Sequence, residues 1–260
     1  MKKLFPLLFL VVLTKCAQKT EELDMPGAYS MIGGQTMNDG SKDTVINRKQ
    51  LKIFTNDHVI YAAVRLPDSV ASYGIGTYEV KDGNVIENFF YTSANAARNF
   101  SNTLKIEKTG NGYKQVIEEI PFQGKNYRLS EEYELVGKAD STPLDGAWKQ
   151  VENYFITQKG DSSTNHNLTE FKVYEDGHFI WAANYPDSSK KILTFLGFGK
   201  FTMDGNNTSR EINSYSTYPS LIDTTMTIGL EFIGKDSYKQ TIVNPDSSRS
   251  VEIYNRLRKF

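Results

Sequence analysis

Apolar and polar residues alternate along most of this chain in short runs, and turn-forming residues interrupt the runs at steady intervals. Period-two alternation marks strands that bury one face. Residues 51–54 and 58–64 read as a strand pair around Thr55-Asn56-Asp57, and residues 171–174 and 178–183 as a second pair around Glu175-Asp176-Gly177. Residues 77–80 and 85–91 flank Asp82-Gly83, and residues 200–203 and 210–215 flank the turn at 204–207. Residues 104–107, 113–120 and 127–135 follow in the first half, and 226–232, 238–243 and 250–257 in the second. Helix is expected only in a short piece at 95–98 and a weaker one at 219–222. Many short strands joined by turns predict an all-β protein, a meandering antiparallel barrel or sandwich.

The pattern occurs twice. Gly27-Ala28-Tyr29 recurs as Gly146-Ala147-Trp148, and the segment 52–63, which begins at Lys52 and contains His58 and Tyr61, recurs as 172–183 with Lys172, His178 and Trp181. Gly74, Gly76 and Tyr78 recur as Gly197, Gly199 and Phe201. Glu87 and Tyr91 recur as Glu211 and Tyr215, Tyr113-Lys114-Gln115 as Tyr238-Lys239-Gln240, and Glu131 and Tyr133 as Glu252 and Tyr254. The blocks keep their order and nearly constant separation, which chance does not produce, so the chain is a duplication. The division is one domain over 26–137, a polar linker ending in proline over 138–144, and a second domain over 145–260.

The N-terminus has a different character. Lys2 and Lys3 precede a ten-residue apolar run, Leu4 to Leu13, too short to span a bilayer and of the length of a signal-peptide core. The run ends at Leu13-Thr14-Lys15-Cys16, which resembles the lipobox of bacterial lipoproteins: Leu13 matches, and Lys15 departs from the small residue favoured before the cysteine. The chain has a single cysteine, and it stands here. The resemblance implies a signal peptide over 1–15, acylation of Cys16, a tether over 16–25, export, and attachment to the cell envelope as an outer-membrane lipoprotein.

Composition narrows the function. The 260 residues carry a formal net charge of −1, which leaves no electrostatic footprint for nucleic acid. One cysteine excludes an internal disulfide framework and a cysteine-based zinc cluster. No Gly-x-Ser-x-Gly elbow or His-Glu-x-x-His motif occurs, and one repeated His and Glu per copy fall short of three metal ligands. An enzyme is therefore not expected, nor a cofactor or metal.

The repeated blocks resemble the lipocalin-like domains of unknown function found in exported Bacteroidota proteins. The match lies in the Gly-x-Trp opening at Gly146 and Trp148, the Lys-to-His-Phe segment ending at His178-Phe179, and the closing strand with Glu252, Tyr254 and Arg256. The first copy keeps the pattern less fully, with Tyr29 for the Trp, Val59 for the Phe and Leu135 for the Arg. The resemblance covers nearly all of 26–260. It implies two tandem up-and-down calycin-type barrels and no assigned activity. A barrel of about eight strands either holds one small ligand or fills with side chains.

On alternation, His58 shares a face with Ile60 and Ala62, and His178 with Ile180 and Ala182, so apolar company suggests that both imidazoles point inward. Glu87 shares a face with Tyr91, and Glu211 with Tyr215. An inward His beside an inward Glu would give a polar spot in an apolar cavity, suited to a ligand with a polar head and an apolar body. The alternative is a structural His–Glu hydrogen bond closing a filled barrel. If the faces are exchanged, Tyr61 and Trp181 line the interior instead. The candidate ligand residues are thus His178, Glu211, Tyr215, Trp181 and Phe201 in the second copy, and His58, Glu87, Tyr91, Tyr61 and Tyr78 in the first. The expected function is a non-catalytic envelope module that binds a small, largely apolar ligand. The competing reading is a scaffold with filled barrels that contacts proteins or glycans through its loops.

Overall fold

A computed structural model of the chain describes residues 23–259 apart from 67, 95–98, 123 and 165. Cys16, the apolar run before it and the piece at 95–98 lie outside the described residues. The first half forms β1 (Gly27–Asn38), β2 (Asp43–Ile46), β3 (Arg48–Phe54), β4 (His58–Arg65), β5 (Val70–Lys81), β6 (Asn84–Thr92), β7 (Phe100–Thr109), β8 (Gly112–Phe122) and β9 (Lys125–Leu135). The second forms β10 (Gly146–Ile156), β11 (Ser162–Thr164), β12 (Thr169–Glu175), β13 (His178–Pro186), β14 (Ile192–Met203), β15 (Thr208–Ser216), β16 (Thr225–Phe232), β17 (Ser237–Val243) and β18 (Arg249–Arg256). A 3-10 turn, Pro219–Leu221, is the only helical piece among the described residues.

Each half is a closed antiparallel barrel of eight strands. In the first, β3 to β9 meander in sequence order and β1 closes the ring by pairing with both β3 and β9. β10 does the same between β12 and β18. The short exposed strands β2 and β11 lie alongside the far ends of β1 and β10, outside the rings. Closure satisfies backbone groups that an open sheet would leave at its edges. The hairpins turn where the sequence requires: Asp82 and Gly83, and Asp176 and Gly177, all have positive φ, as a two-residue loop matched to strand twist demands.

Strands β5 and β14 begin at Val70 and Ile192, earlier than the expected 77 and 200. The alternation there is masked because both faces are covered. Gly74 and Gly76 face inward while Tyr73 and Ile75 face outward and are fully buried. What covers them is the other barrel. Leu51, Ile53, Ile60, Ala62, Tyr73 and Ile75 of β3–β5 form one apolar cluster with Phe171, Val173, Ile180, Ala182, Leu196 and Phe198 of β12–β14. Each strand of one barrel faces its own counterpart in the other, the arrangement of a two-fold homodimer interface realised within one chain. Across it, the Phe171 ring lies 5.2 Å from Tyr91 and 6.2 Å from Phe90, and Asn184 Nδ2 donates to the Thr92 carbonyl at 3.3 Å.

One end of each barrel is packed with aromatic rings. In the second, Trp148, Tyr174, Phe179, Phe201, Tyr238 and Tyr254 fill this end. Leu144, in the linker, is fully buried among them, and Met25 plays the same part in the first barrel, so neither polar connecting segment runs free to its last residue. Arg256 stacks on Trp148, 4.0 Å from the ring centre, and donates to the Asp145 carbonyl at 2.6 Å. The first barrel lacks that seal.

Because the two barrels share a buried apolar face, they are expected to unfold as one unit. Phe171→Ala should cost about 3–5 kcal/mol and split a single denaturation transition into two. An unchanged single transition, measured by calorimetry and tyrosine fluorescence, would mean that this face does not couple them.

Candidate functional site

The barrel interiors contain the same polar network twice. Lys52 on β3 points inward and pairs with Glu87 on β6, Nζ to Oε1 2.5 Å, with both side chains almost wholly buried. Lys52 also donates to Gln115 Oε1 at 2.9 Å, and Gln115 Nε2 donates to Glu131 Oε2 at 2.6 Å. Tyr133 donates to the same carboxylate oxygen at 2.8 Å, and Gln35 to its other oxygen at 2.7 Å. Gln50 Nε2 donates to the Tyr133 hydroxyl. In the second barrel Lys172 Nζ lies 3.4 Å from both oxygens of Glu211 and donates to Gln240 at 3.1 Å. Gln240 donates to Glu252 at 2.5 Å, and the Tyr254 hydroxyl bridges Glu252 and Glu170 at 2.7 and 2.5 Å. Tyr174 donates to Glu211 at 2.7 Å.

The counterparts differ at one telling place. Where the first barrel has Gln50, the second has Glu170, at the same distance from the buried lysine in sequence. The first interior gathers two cations, Arg48 and Lys52, with two carboxylates, Glu87 and Glu131. The second gathers one cation, Lys172, with three carboxyls, Glu170, Glu211 and Glu252. Burial, and then the charge of Glu252, push the Glu170 carboxyl up to about 8. Burial likewise raises Glu87, against the pull of Lys52.

Cavities follow the same asymmetry. The first barrel holds a cavity of about 200 Å³ around its network. The second opens at the end away from Trp148 into a cavity of about 400 Å³, with Glu170, Lys172, Glu211 and Glu252 on its floor. Its walls carry Trp181, Phe195, Tyr218, Met226, Ile228 and Ile242. Trp181 and Phe195 each stack on Tyr218, with centroids at 6.0 and 5.2 Å and planes within 17° and 2°. Trp181 is seated by Gly197, where any Cβ would strike its indole, and its Nε1 donates to Asn213 Oδ1 at 3.1 Å.

Of the residues singled out from the sequence, Glu87, Glu211, Tyr61 and Trp181 point into the interiors, and Tyr78 and Phe201 lie in the aromatic packing at the closed ends. His58 and His178 do not reach the interiors. Their face, with Ile60, Ala62, Ile180 and Ala182, is the outer one, apolar because it meets the other barrel, and so the expected inward face is reversed. His58 Nδ1 lies 2.7 Å from Asp57 Oδ1, and His178 Nδ1 lies 3.0 Å from the Asp176 carbonyl; burial lowers the pKa of His178. No His–Glu pair forms, and the partner of each glutamate is a lysine. Tyr91 and Tyr215 also leave the interior. Ladder pairing passes from Tyr91 to Phe89 and from Tyr215 to Asn213, so Phe90 and Ser214 are inserted as bulges that swing the tyrosines to the opposite face. Gly76 and Gly199 stand opposite these bulges, where a Cβ would collide with the neighbouring backbone. His178 and Tyr215 meet instead in a second cavity of about 390 Å³ between the barrels, with Leu51, Val136, Phe198 and Lys200.

The residues that sequence reasoning left without a role are Lys52 and Lys172, Gln115 and Gln240, and Glu131 and Glu252. All belong to the repeated blocks. Their signal was a lysine between apolar residues on a strand, repeated in both copies beside repeated Gln and Glu. Among the described residues, no group of three His, Cys, Asp or Glu side chains could hold a metal ion, and no helix is long and apolar enough to cross a membrane.

No family model matches the chain, and no curated protein matches it. Among solved structures, it is similar to a redesigned β-barrel, at 18% identity over 45% of this chain and 93% of that one, with a TM-score of 0.30. It is also similar to a protein of unknown function from the DUF3598 family of Nostoc punctiforme, at 13% identity over 89% and 96%, TM-score 0.26. A third is the isotype 1 transferrin binding protein B of Neisseria meningitidis, at 8% identity over 85% and 61%, TM-score 0.21. The strand pairing alone defines the class, a tandem of closed eight-stranded barrels, with function left to the geometry of their interiors.

Breaking a buried ion pair leaves an uncompensated charge. Lys52→Met should cost about 3–5 kcal/mol in urea denaturation, and Lys52→Met with Glu87→Leu should recover most of it. A single variant within about 1 kcal/mol of the parent would remove the pair from its organising role. The raised Glu170 pKa has a definite sign. The folded state keeps a proton that the unfolded state, with a carboxyl near 4.5, has lost, so this group makes the protein less stable as pH rises from 4.5 to about 8. Urea midpoints at pH 5 and pH 8 should therefore diverge less in Glu170→Gln than in the parent; equal divergence would refute the assignment.

Proposed function

We propose that the protein is a non-catalytic binding module of the cell envelope that holds a small ligand with a largely apolar body in its second barrel. The observation that carries this reading is the half-open cavity of about 400 Å³ beside Trp181, of the size and mixed lining that small-molecule sites have. Apolar and aromatic walls would bury the body of the ligand, and the polar floor would fix its orientation. The first barrel, with half that volume, serves as a rigid partner whose outer face supports the second. This assigns to one half the scaffold role that the competing reading gives to both. Attachment to the outer membrane through acylated Cys16, and kinship with lipocalin-like lipoproteins of Bacteroidota, are part of the same proposal and rest on the N-terminal motif and the repeated blocks.

Native mass spectrometry of the full chain purified from its own envelope should retain a co-purified small molecule. Met226→Trp, which places a larger ring in the cavity wall, should release it while leaving the circular dichroism and melting transition intact. Repeated preparations without bound molecules, or retention in the variant, would overturn the reading. Cys16→Ser should move the protein from the membrane fraction to the soluble fraction; an unchanged distribution would refute the lipid anchor.

A further inference from the structure

We infer that the ligand of the second barrel is a small organic cation: an ammonium group carried on an apolar body the size of an aromatic ring. This deepens the proposed function and rests on the second barrel being the ligand-holding domain. The two barrels of one chain serve as controls for each other. Both barrels have the buried lysine, the glutamate on β6 or β15, the glutamine on β8 or β17, and the Glu-x-Tyr of the closing strand. In the first barrel the polar groups that face the small cavity balance, two cations against two carboxylates. In the second, Leu168 stands in the place of Arg48 and Glu170 in that of Gln50, so a cation is lost just before β12 and a carboxyl gained on it. The first change removes a positive charge, the second adds a carboxyl that can become negative once a counter-ion is present, and the larger cavity stands at the same place.

Lys172 is committed to Glu211 and Gln240, as its counterpart is to Glu87 and Gln115. Glu170 and Glu252 share the Tyr254 hydroxyl, Glu252 also accepts from Gln240, and neither has a cation bonded to it among the described residues. Two carboxyls in a low-dielectric site cannot both hold charge without a counter-ion. A positive head group placed between them would supply it, within a cavity walled by aromatic rings whose faces attract cations. The stacked Trp181, Tyr218 and Phe195 form such a wall within the same cavity.

Proton release follows from this arrangement. The groups facing Glu170 are Glu252 and Tyr254 from β18, Lys172 from its own strand and Glu211 from β15, and the phenols of Tyr73 and Tyr218 also feel its charge. Burial and Glu252 hold a proton on Glu170 in the free protein. An entering cation removes the reason for it, so binding should expel a proton near neutral pH and strengthen as pH rises toward 8.

The test is isothermal titration of the full chain with three probes of one shape: 2-phenylethylamine, 2-phenylethanol and 3-phenylpropionate. The amine should bind at least about tenfold more tightly than the alcohol, and the acid least of all. Titration in buffers of different ionisation enthalpy should register proton release on amine binding. Glu170→Gln copies a residue that the first barrel already accommodates, so it should fold. It should abolish the proton release and weaken the amine about tenfold while leaving the alcohol unchanged. Met226→Trp should reduce all binding. Equal affinity for amine and alcohol, or an amine affinity untouched by Glu170→Gln, would overturn the cation assignment and leave the proposed function standing. No binding by any probe at millimolar concentration would overturn both.

Discussion

Each barrel is organised around one lysine ammonium that is almost wholly buried. Lys52 and Lys172 sit between apolar neighbours on β3 and β12, and their charge is held by a glutamate three strands away. A buried charge is tolerated only when its partner and its remaining hydrogen bonds are in place. That requirement extends outward through glutamine to a second glutamate and then to a tyrosine on the closing strand. The network therefore joins the β3, β6, β8 and β9 positions of the ring, or β12, β15, β17 and β18. A register slip of one residue in any of these strands would turn its member outward and strand the rest. The polar core specifies the barrel more than it stabilises it.

Around this core, two kinds of apolar packing divide the labour. Aromatic rings fill one end of each barrel, plugged by Met25 or Leu144. The outer faces of β3–β5 and β12–β14 meet each other, so that the duplication buries what a lone barrel would expose. Exposed apolar faces of that extent mark association surfaces. The tandem arrangement satisfies one internally, by the pairing of equivalent strands expected for two copies of one ancestral domain.

Duplication also explains how the two halves came to differ. Once the barrels share a scaffold, one copy retains a small, charge-balanced interior and the other is free to widen and to carry unbalanced charge. Leu168 in place of Arg48, and Glu170 in place of Gln50, lie two residues apart and line the same space. The second copy keeps the Trp148–Arg256 seal at its closed end, so its opening lies at the other.

The sequence by itself determined most of the strands, the hairpin turns and the duplication, because period-two alternation and collinear repeats are local or one-dimensional signals; the ring-closing strands β1 and β10 emerged only in the structure. The buried lysine, both glutamates joined to it directly or through glutamine, and the closing tyrosine stood in the repeated blocks, while Gln35, Gln50 and Glu170 lay outside them. Which way they point was decided by tertiary structure. His58 and His178 keep apolar company on a face covered by the other barrel, so hydrophobic neighbours did not mean the barrel interior. The bulges at Phe90 and Ser214 broke the alternation that had joined Tyr91 to Glu87 and Tyr215 to Glu211. A hydrophobic pattern reports that a face is buried; only the packed structure says against what, and here the answer turned a histidine–glutamate pair into a lysine–glutamate one.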